Sequence, residues 1–112
     1  MFPEEYLYIL ALRQCKNIGN TNLRKLIQIK GSARAVWETP KKNLLSISGI
    51  GTKITQDIGK KEFLLKAEKE LKFCEQKSIS IVSHNDSSYP KHLSNCDDAP
   101  AILFYRGKLI YN

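Results

Sequence analysis

The chain has 112 residues, of which 42% are hydrophobic and 26% charged, a balance typical of globular rather than disordered proteins. No apolar run approaches the ~20 residues that are needed to cross a bilayer. Glu4 and Glu5 also stand where a signal peptide would carry positive charge. We therefore expect a cytoplasmic protein.

The net charge of +7 is unevenly distributed along the chain. Residues 1–78 contain 15 Lys and Arg against 8 Asp and Glu, whereas residues 79–112 contain 3 of each kind. All of the excess positive charge therefore lies in the first part. A basic small domain is attracted to polyanions such as nucleic acid or an anionic membrane surface.

The three cysteines are widely spaced and form no Cys-x-x-Cys pair, so neither a zinc site nor a thiol-exchange motif is predicted. They are Cys15, Cys74 and Cys96. We interpret Cys15 and Cys74 as small hydrophobic residues of the core.

Apolar residues at helical spacing predict a first helix that ends near Lys16 and a second from Thr21, with Gly31 as its stop. Ser32 is placed to cap a short helix over residues 33–37, which the Thr39-Pro40 pair ends. Trp37, between short helices, is interpreted as a core residue rather than a platform for stacking bases.

A fourth helix is predicted from Lys41 to about Ile47, and a long helix begins after it with Thr52 as its cap. Gly59 weakens the middle of that long helix, so a kink or break is expected there. The lysines between Lys60 and Lys77 alternate with glutamates and are interpreted as the solvated face of this helix.

The pattern changes after residue 78, which we take as a domain boundary between residues 1–78 and 79–112. Three β-branched residues within 79–82 predict a short strand, and the apolar run 101–105 predicts a second. Residues 109–111 could begin a further element. Because two or three strands alone make a poor core, we expect the second segment to be the truncated start of an α/β domain.

A repeat at an offset of 32 residues is the most informative feature of the sequence. The stretch LRQCKNIGNTNLRKL lies over LLSISGIGTKITQDI, so that Leu12, Cys15, Ile18, Gly19 and Leu26 align with Leu44, Ile47, Ile50, Gly51 and Ile58. Each copy has an apolar pair, a tight turn around one isoleucine and the start of a new helix. This is the helix-hairpin-helix pattern, here in tandem.

The two copies differ at the first position of the turn. Gly49 and Gly51 flank Ile50 in the second copy, whereas Asn17 replaces the leading glycine in the first. Asparagine is among the residues that accept left-handed backbone angles, so the replacement is tolerable. The predicted fold class is mainly α, with a tandem module of the SAM-like, or RuvA domain 2-like, type.

A hairpin of this kind suits DNA because it exposes the N-terminus of its second helix, where unpaired amides and the dipole attract a phosphate. Such contacts position a protein without reading bases, so binding should be independent of DNA sequence and sensitive to salt. The predicted phosphate-binding residues are Lys16, Asn17, Gly19, Asn20, Thr21, Arg24 and Lys25 in the first copy and Gly49, Gly51, Thr52 and Lys53 in the second.

Two further interpretations remain open at this point. Each turn could be only a helix connector whose isoleucine fills the core, and tandem hairpins also serve as protein-docking modules. An enzyme is not expected. His84 and His92 lie near Asp86, Asp97 and Asp98, but their spacing fits no metal-ligand motif, and no phosphate-binding glycine loop or nucleophile motif is present. No cofactor is therefore predicted.

The stretch from Ser80 to Gly107 resembles the entry to the main domain of the DNA-processing protein A family, DprA, also called Smf. The matching elements are a strand, Asp86 with Tyr89-Pro90, Leu93, Asp98, Pro100 and the run Leu103-Phe104-Tyr105-Arg106-Gly107. The preceding hairpins and linking helix are similar to that family's N-terminal module, so the resemblance covers nearly all of the chain.

The resemblance implies a DNA-binding accessory protein of DNA uptake, natural transformation and recombination that is not an enzyme. Such a protein binds and protects single-stranded DNA and loads the RecA recombinase. The family's Rossmann-like domain, which carries the main single-strand site, the dimer surface and the RecA contacts, would continue beyond residue 112. Tyr89, Pro90 and residues 103–107 match positions that we interpret as structural.

The best alternative function is a protein-interaction docking module without DNA affinity of its own. A hairpin domain attached to a repair nuclease comes third. Neither the strand preference nor the hairpin that meets DNA follows from the sequence.

Overall fold

The computed structural model describes residues 4–15, 18–47, 49–84, 86, 89–95 and 99–105. The helices are α1 (Glu4–Gln14), α2 (Gly19–Lys30), α3 (Ala33–Glu38), α4 (Lys41–Leu45), α5 (Thr52–Thr55), α6 (Lys61–Gln76) and α7 (Lys91–Ser94), and the strands are β1 (Ser80–Ser83) and β2 (Ile102–Tyr105). The protein is therefore mainly helical, as predicted.

Local signals for helix ends are confirmed around α2 and α3. Gly31 adopts a left-handed φ of 93° and its amide donates to the Ile27 carbonyl, which ends α2. The Ser32 side chain accepts from the Ala35 amide at 3.1 Å and begins α3. Thr39 is extended and ends that helix, because the following Pro40 disfavours helical geometry.

The expected long helix from Thr52 is broken into two. The first piece, α5, ends at Thr55, and Gly59 has a φ of 91° in the turn that precedes α6. The expected weak point at Gly59 is therefore confirmed. Helix α2 begins at Gly19 instead of Thr21, and α4 ends at Leu45 instead of near Ile47.

The core is formed where α1 packs against α6 and α3, with α2 also against α3. Helix α1 contributes four residues in sequence, 9–12, that are at most 3% exposed, because neighbours cover it on several sides. Cys15, Trp37 and Cys74 lie in this core, which confirms their predicted role. Burial first, and then the charge of Asp57, raises the pKa of the Cys15 thiol to about 12.

The predicted lysine-rich face of α6 is confirmed as solvated. The six lysines from residue 60 to residue 77 are all exposed: Lys60, Lys61, Lys66, Lys69, Lys72 and Lys77. The opposite face buries Ala67 and Cys74.

The two predicted strands are present and pair in antiparallel register, with Ile81 opposite Phe104 and Val82 opposite Leu103. Ile81 and Ile102 belong to the same hydrophobic cluster as the helices. The division of the chain at residue 78 into two domains stays a prediction. Residues 109–111, proposed as a further element, lie outside the described residues.

Tyr89 fastens the segment between the strands. Its ring is 3% exposed, and its hydroxyl donates to the Pro100 carbonyl at 2.7 Å. Asp86 lies in the same segment, and its carboxylate accepts a hydrogen bond from the Tyr6 hydroxyl of α1 at 3.3 Å. These contacts support a structural role for Tyr89 and link α1 to the end of β1.

Candidate nucleic-acid interface

The candidate residues of the first hairpin that the structure describes all lie in the first two turns of α2. Gly19, Asn20 and Thr21 are exposed in its first turn, and Arg24 and Lys25 are half-buried in the next. Lys16 and Asn17 lie outside the described residues. The first copy thus presents backbone amides and two cationic side chains within about 10 Å of helix length.

The N-terminus of α2 has an apolar N-cap residue. Ile18 is 3% exposed and makes no side-chain cap hydrogen bond, since it has no polar side-chain atom. Gly19 follows with a φ of 68°, and apart from its chain neighbours and the adjacent backbone of α2, no heavy atom lies within 4 Å of where a Cβ would be. With 12 residues, α2 is long enough for its dipole and first amides to attract an anion.

The second hairpin has the same order of elements as the first, but its turn has different backbone angles. Gly49 has a φ of 84°, whereas Gly51 is extended with φ −106° and ψ −178°. Gly49, Gly51, Thr52 and Lys53 are all exposed. The helix that follows, α5, has only four residues, so its dipole is weaker than that of α2.

The prediction that Thr52 caps this helix is wrong. Gly51 is the N-cap residue, and Thr52 is the first helical residue. An extended Gly51 places Thr52 inside the helix, so its hydroxyl does not take the capping position. Gly51 has no side chain to occupy the amides of α5.

A contact joins the two hairpins. A Cβ built on Gly49 would lie 3.2 Å from the Lys25 ammonium nitrogen, so a cation from α2 lies against the turn of the second hairpin. Glycine allows this approach without a side chain between them. The spacing of the sequence repeat did not predict this contact.

The isoleucines of both turns face inward. Ile18 is 3% exposed and Ile50 is 5% exposed, and the aligned Leu12 and Leu44 are fully buried. The interpretation of each turn as a connector that fills the core is therefore correct for these side chains. Gly19 and Gly51, which follow these isoleucines, are exposed residues.

Part of the positive charge is neutralised within the chain. Arg34 pairs with Glu4 at 2.8 Å and Glu38 at 3.5 Å, and the coulombic attraction of Glu4 raises its pKa. Lys60 donates to the Asp57 carboxylate at 3.0 Å, and this hydrogen bond raises its pKa. Both cations are therefore held by carboxylates of the chain itself.

Arg13 is a candidate that the sequence analysis missed. It lines a small cleft of about 80 Å³ together with Gly19 and Asn20. Its guanidinium lies 3.8 Å from the Glu70 carboxylate and 5.2 Å from the centre of the Phe104 ring. Its position in the last turn of α1, just before the hairpin turn, is the feature of the sequence that could have identified it.

The sequence is similar to Protein Smf of Synechocystis sp., with 28% identity over 109 residues. The aligned region is 97% of this chain, but the chain spans only 27% of the length of that relative. No protein-family model matches the sequence. No solved structure matches it either.

Over the described ranges, no group of three or more His, Cys, Asp or Glu side chains is arranged to hold a metal ion. Asp97 and Asp98, part of the polar loop considered above, are outside those ranges. None of the described helices is both long and apolar enough to span a membrane.

Proposed function

We propose that this chain is the N-terminal, DNA-binding portion of a DNA-processing protein of the DprA (Smf) type. The contact between Lys25 and the Gly49 turn carries this proposal, because it joins the two predicted phosphate-binding hairpins at one cationic side chain. The similarity to Protein Smf over 97% of the chain supports it. The basic excess of residues 1–78 is consistent with a polyanionic partner.

In this proposal, α1 with α2 and α4 with α5 are two helix-hairpin-helix units. The amides of Gly19, Asn20 and Thr21 receive one phosphate, and Arg24 and Lys25 neutralise its neighbours. The amides of Gly51, Thr52 and Lys53 receive another. Lys16 and Asn17 complete the first set.

We further propose that β1, α7 and β2 open a Rossmann-like domain. Their antiparallel pairing is compatible with an edge strand on an otherwise parallel sheet. The whole protein would act in DNA uptake, natural transformation and recombination as a non-enzymatic accessory. It would protect single-stranded DNA, load RecA and dimerise through the Rossmann-like domain. We expect such a protein to act in the cytoplasm.

Fluorescence anisotropy with labelled single-stranded and duplex DNA, at low and moderate salt, tests the proposal. We expect sequence-independent binding that a Lys16→Ala, Arg24→Ala, Lys53→Ala triple variant weakens at least about tenfold. The salt dependence should also fall, because each lost phosphate contact on a single strand lowers the slope by about 0.7. Three contacts therefore lower it by about 2.

A variant with the same loss of charge is the control. Lys61, Lys69 and Lys72 are exposed on α6, which belongs to neither proposed hairpin, and their triple alanine variant should bind within about threefold of wild type. An equal loss of DNA affinity in both triple variants would mean that net charge alone drives the binding. It would contradict a hairpin site. Absence of binding at micromolar wild-type protein would contradict the proposed function itself.

A docking module is the second candidate, and two side chains favour it. Leu65 and Phe73 on α6 are large apolar side chains that are 48% and 53% exposed. A partner protein that covers them would explain this face without DNA. Under this alternative, the wild-type protein shows no anisotropy change with either form of DNA.

A further inference from the structure

An open groove of about 910 Å³ lies between α2 and the end of β1. Its volume falls in the range of roughly 300–1,000 Å³ that is typical of ligand sites. The groove is distinct from the small cleft at Gly19 and Asn20, and it extends the hairpin surface toward the strands.

One wall of the groove is a polar face of α2. Thr21, Arg24, Lys25 and Gln28 line it, and their spacing places them on one side of the helix. The row is about 10 Å long. A stacked strand carries one phosphate per roughly 3.4 Å, so this row can accompany about three phosphates.

Another part of the lining offers an aromatic ring. Ser83 and His84, at the end of β1, line this part. The imidazole of His84 meets the buried Tyr89 ring edge to face, with 5.1 Å between centroids, and the His84 amide donates to the Ala101 carbonyl at 2.8 Å. The ring is therefore held beside the groove by both its backbone and a neighbouring side chain.

The groove has a positive balance despite one carboxylate at its edge. Glu5 also lines it, but the Glu5 carboxylate accepts hydrogen bonds from the Ala33 and Arg34 amides at the start of α3. The negative charge of Glu5 therefore lies at the N-terminus of α3, where it stabilises that helix. Arg24 and Lys25 are the two Lys or Arg side chains among the lining residues, against one carboxylate.

We propose that this groove binds an unpaired nucleic-acid segment, with its phosphates along α2 and one base stacked on His84. The inference rests on the proposed DNA-binding function and adds a contact surface outside the hairpin turns. Proteins that bind single strands combine a cationic groove with aromatic rings on which bases stack, and histidine is one such ring. Lys25, which also lies against the Gly49 turn, connects the groove to the second hairpin.

The geometry favours an unpaired strand over a duplex. Duplex bases are paired and stacked inside the helix, so a duplex could place phosphates on the rim but no base against His84. An unpaired strand presents both groups at once. The groove should therefore give a preference for single-stranded DNA that the hairpins alone do not give.

Anisotropy titrations of the His84→Ala and His84→Phe variants with a labelled oligothymidine test this inference. We expect His84→Ala to bind about tenfold more weakly than wild type with an unchanged salt slope, because stacking and not charge is lost. His84→Phe, which keeps a stacking ring, should bind within about twofold. His92→Ala is the matched control, since His92 is exposed in α7 and does not line the groove.

The chain has only two histidines, so proton NMR of the wild-type imidazoles gives a second readout that needs no variant. Oligothymidine should shift the His84 ring protons and leave those of His92 in place. Wild-type binding with an unmoved His84 and an unaffected His84→Ala variant would overturn the groove but leave the hairpin function standing. An equal effect of His84→Ala on duplex DNA would overturn the preference for an unpaired strand. A wild-type protein that binds no DNA would overturn the hairpin function and the groove together.

Discussion

The first and second hairpins share most of their aligned buried residues but differ in their backbones. Leu12 and Leu44 are both 0% exposed, and Ile18 and Ile50 are both buried. Yet α2 has 12 residues and α5 has four, and the aligned glycines 19 and 51 have φ values of 68° and −106°. The repeated pattern therefore specifies which side chains enter the core, while the length and start of each helix depend on the residues that follow.

This difference has a functional consequence. A longer helix keeps its first amides in place and gives a fuller dipole, so α2 should attract a phosphate more strongly than α5. Two cations, Arg24 and Lys25, follow its first turn, whereas Lys53 alone lies in α5. We expect the first hairpin to contribute most of the DNA affinity.

The largest predicted effect tests the shared burial. Leu12→Ala and Leu44→Ala should each lower the free energy of unfolding by about 2–5 kcal/mol, because both leave cavities at fully buried positions. Urea unfolding followed by circular dichroism measures this. Leu45→Ala is the control: its side chain is 42% exposed, so the change should stay within about 0.5 kcal/mol. A Leu44→Ala variant as stable as Leu45→Ala would show that the second hairpin is not packed like the first.

A smaller effect tests the difference in backbone. Gly19→Ala should destabilise the protein by about 1–2 kcal/mol, because an alanine at a φ of 68° is strained. Gly51→Ala should change stability by less than about 0.5 kcal/mol, since its φ suits any residue and no heavy atom is close. Thermal unfolding of the two variants compares them. Equal destabilisation would mean that the two turns share one conformation.

The smallest predicted effect concerns Cys15, which aligns with Ile47 of the second hairpin. Burial raises the pKa of the Cys15 thiol from 9.0 to about 12. The stabilisation of the folded state by the protonated thiol is therefore complete well below pH 9. It is lost as the pH rises toward 12, because the unfolded chain releases the proton first. At pH 10 the loss should be about 1 kcal/mol. Urea unfolding of Cys15→Ala between pH 8 and pH 10 should show a shallower decline than wild type, and parallel curves would contradict the assigned burial of the thiol.

Local rules predicted much of this fold. Gly31, Ser32 and Gly59 act through their own backbone or the nearest amides, so the sequence was sufficient to place a helix end, a cap and a break. Strand β1 was predicted from its β-branched residues, and β2 from an apolar run bounded by Pro100 and Gly107. Helix α7 was missed, since four residues among turn formers carry no periodicity. Thr52 was misassigned because its hydroxyl made it a plausible cap, whereas the extended Gly51 takes that position.

The candidate site was predictable only within each repeat. Motif spacing selected Gly19, Gly51 and their neighbours. The approach of Lys25 to Gly49 depends on how α2 packs against the second hairpin, and no sequence spacing encodes it. His84 and Gln28 face one groove although 56 residues separate them in the chain. Such juxtapositions arise from tertiary packing.

The most direct test of the hairpin site follows its backbone amides by two-dimensional NMR during titration with an unlabelled oligonucleotide. Phosphate binding at the start of α2 should shift the Gly19, Asn20 and Thr21 amides most, and those of Gly51, Thr52 and Lys53 less. High salt should reverse both sets of shifts. Binding that leaves all six amides in place would contradict the claim that the hairpins hold the phosphates.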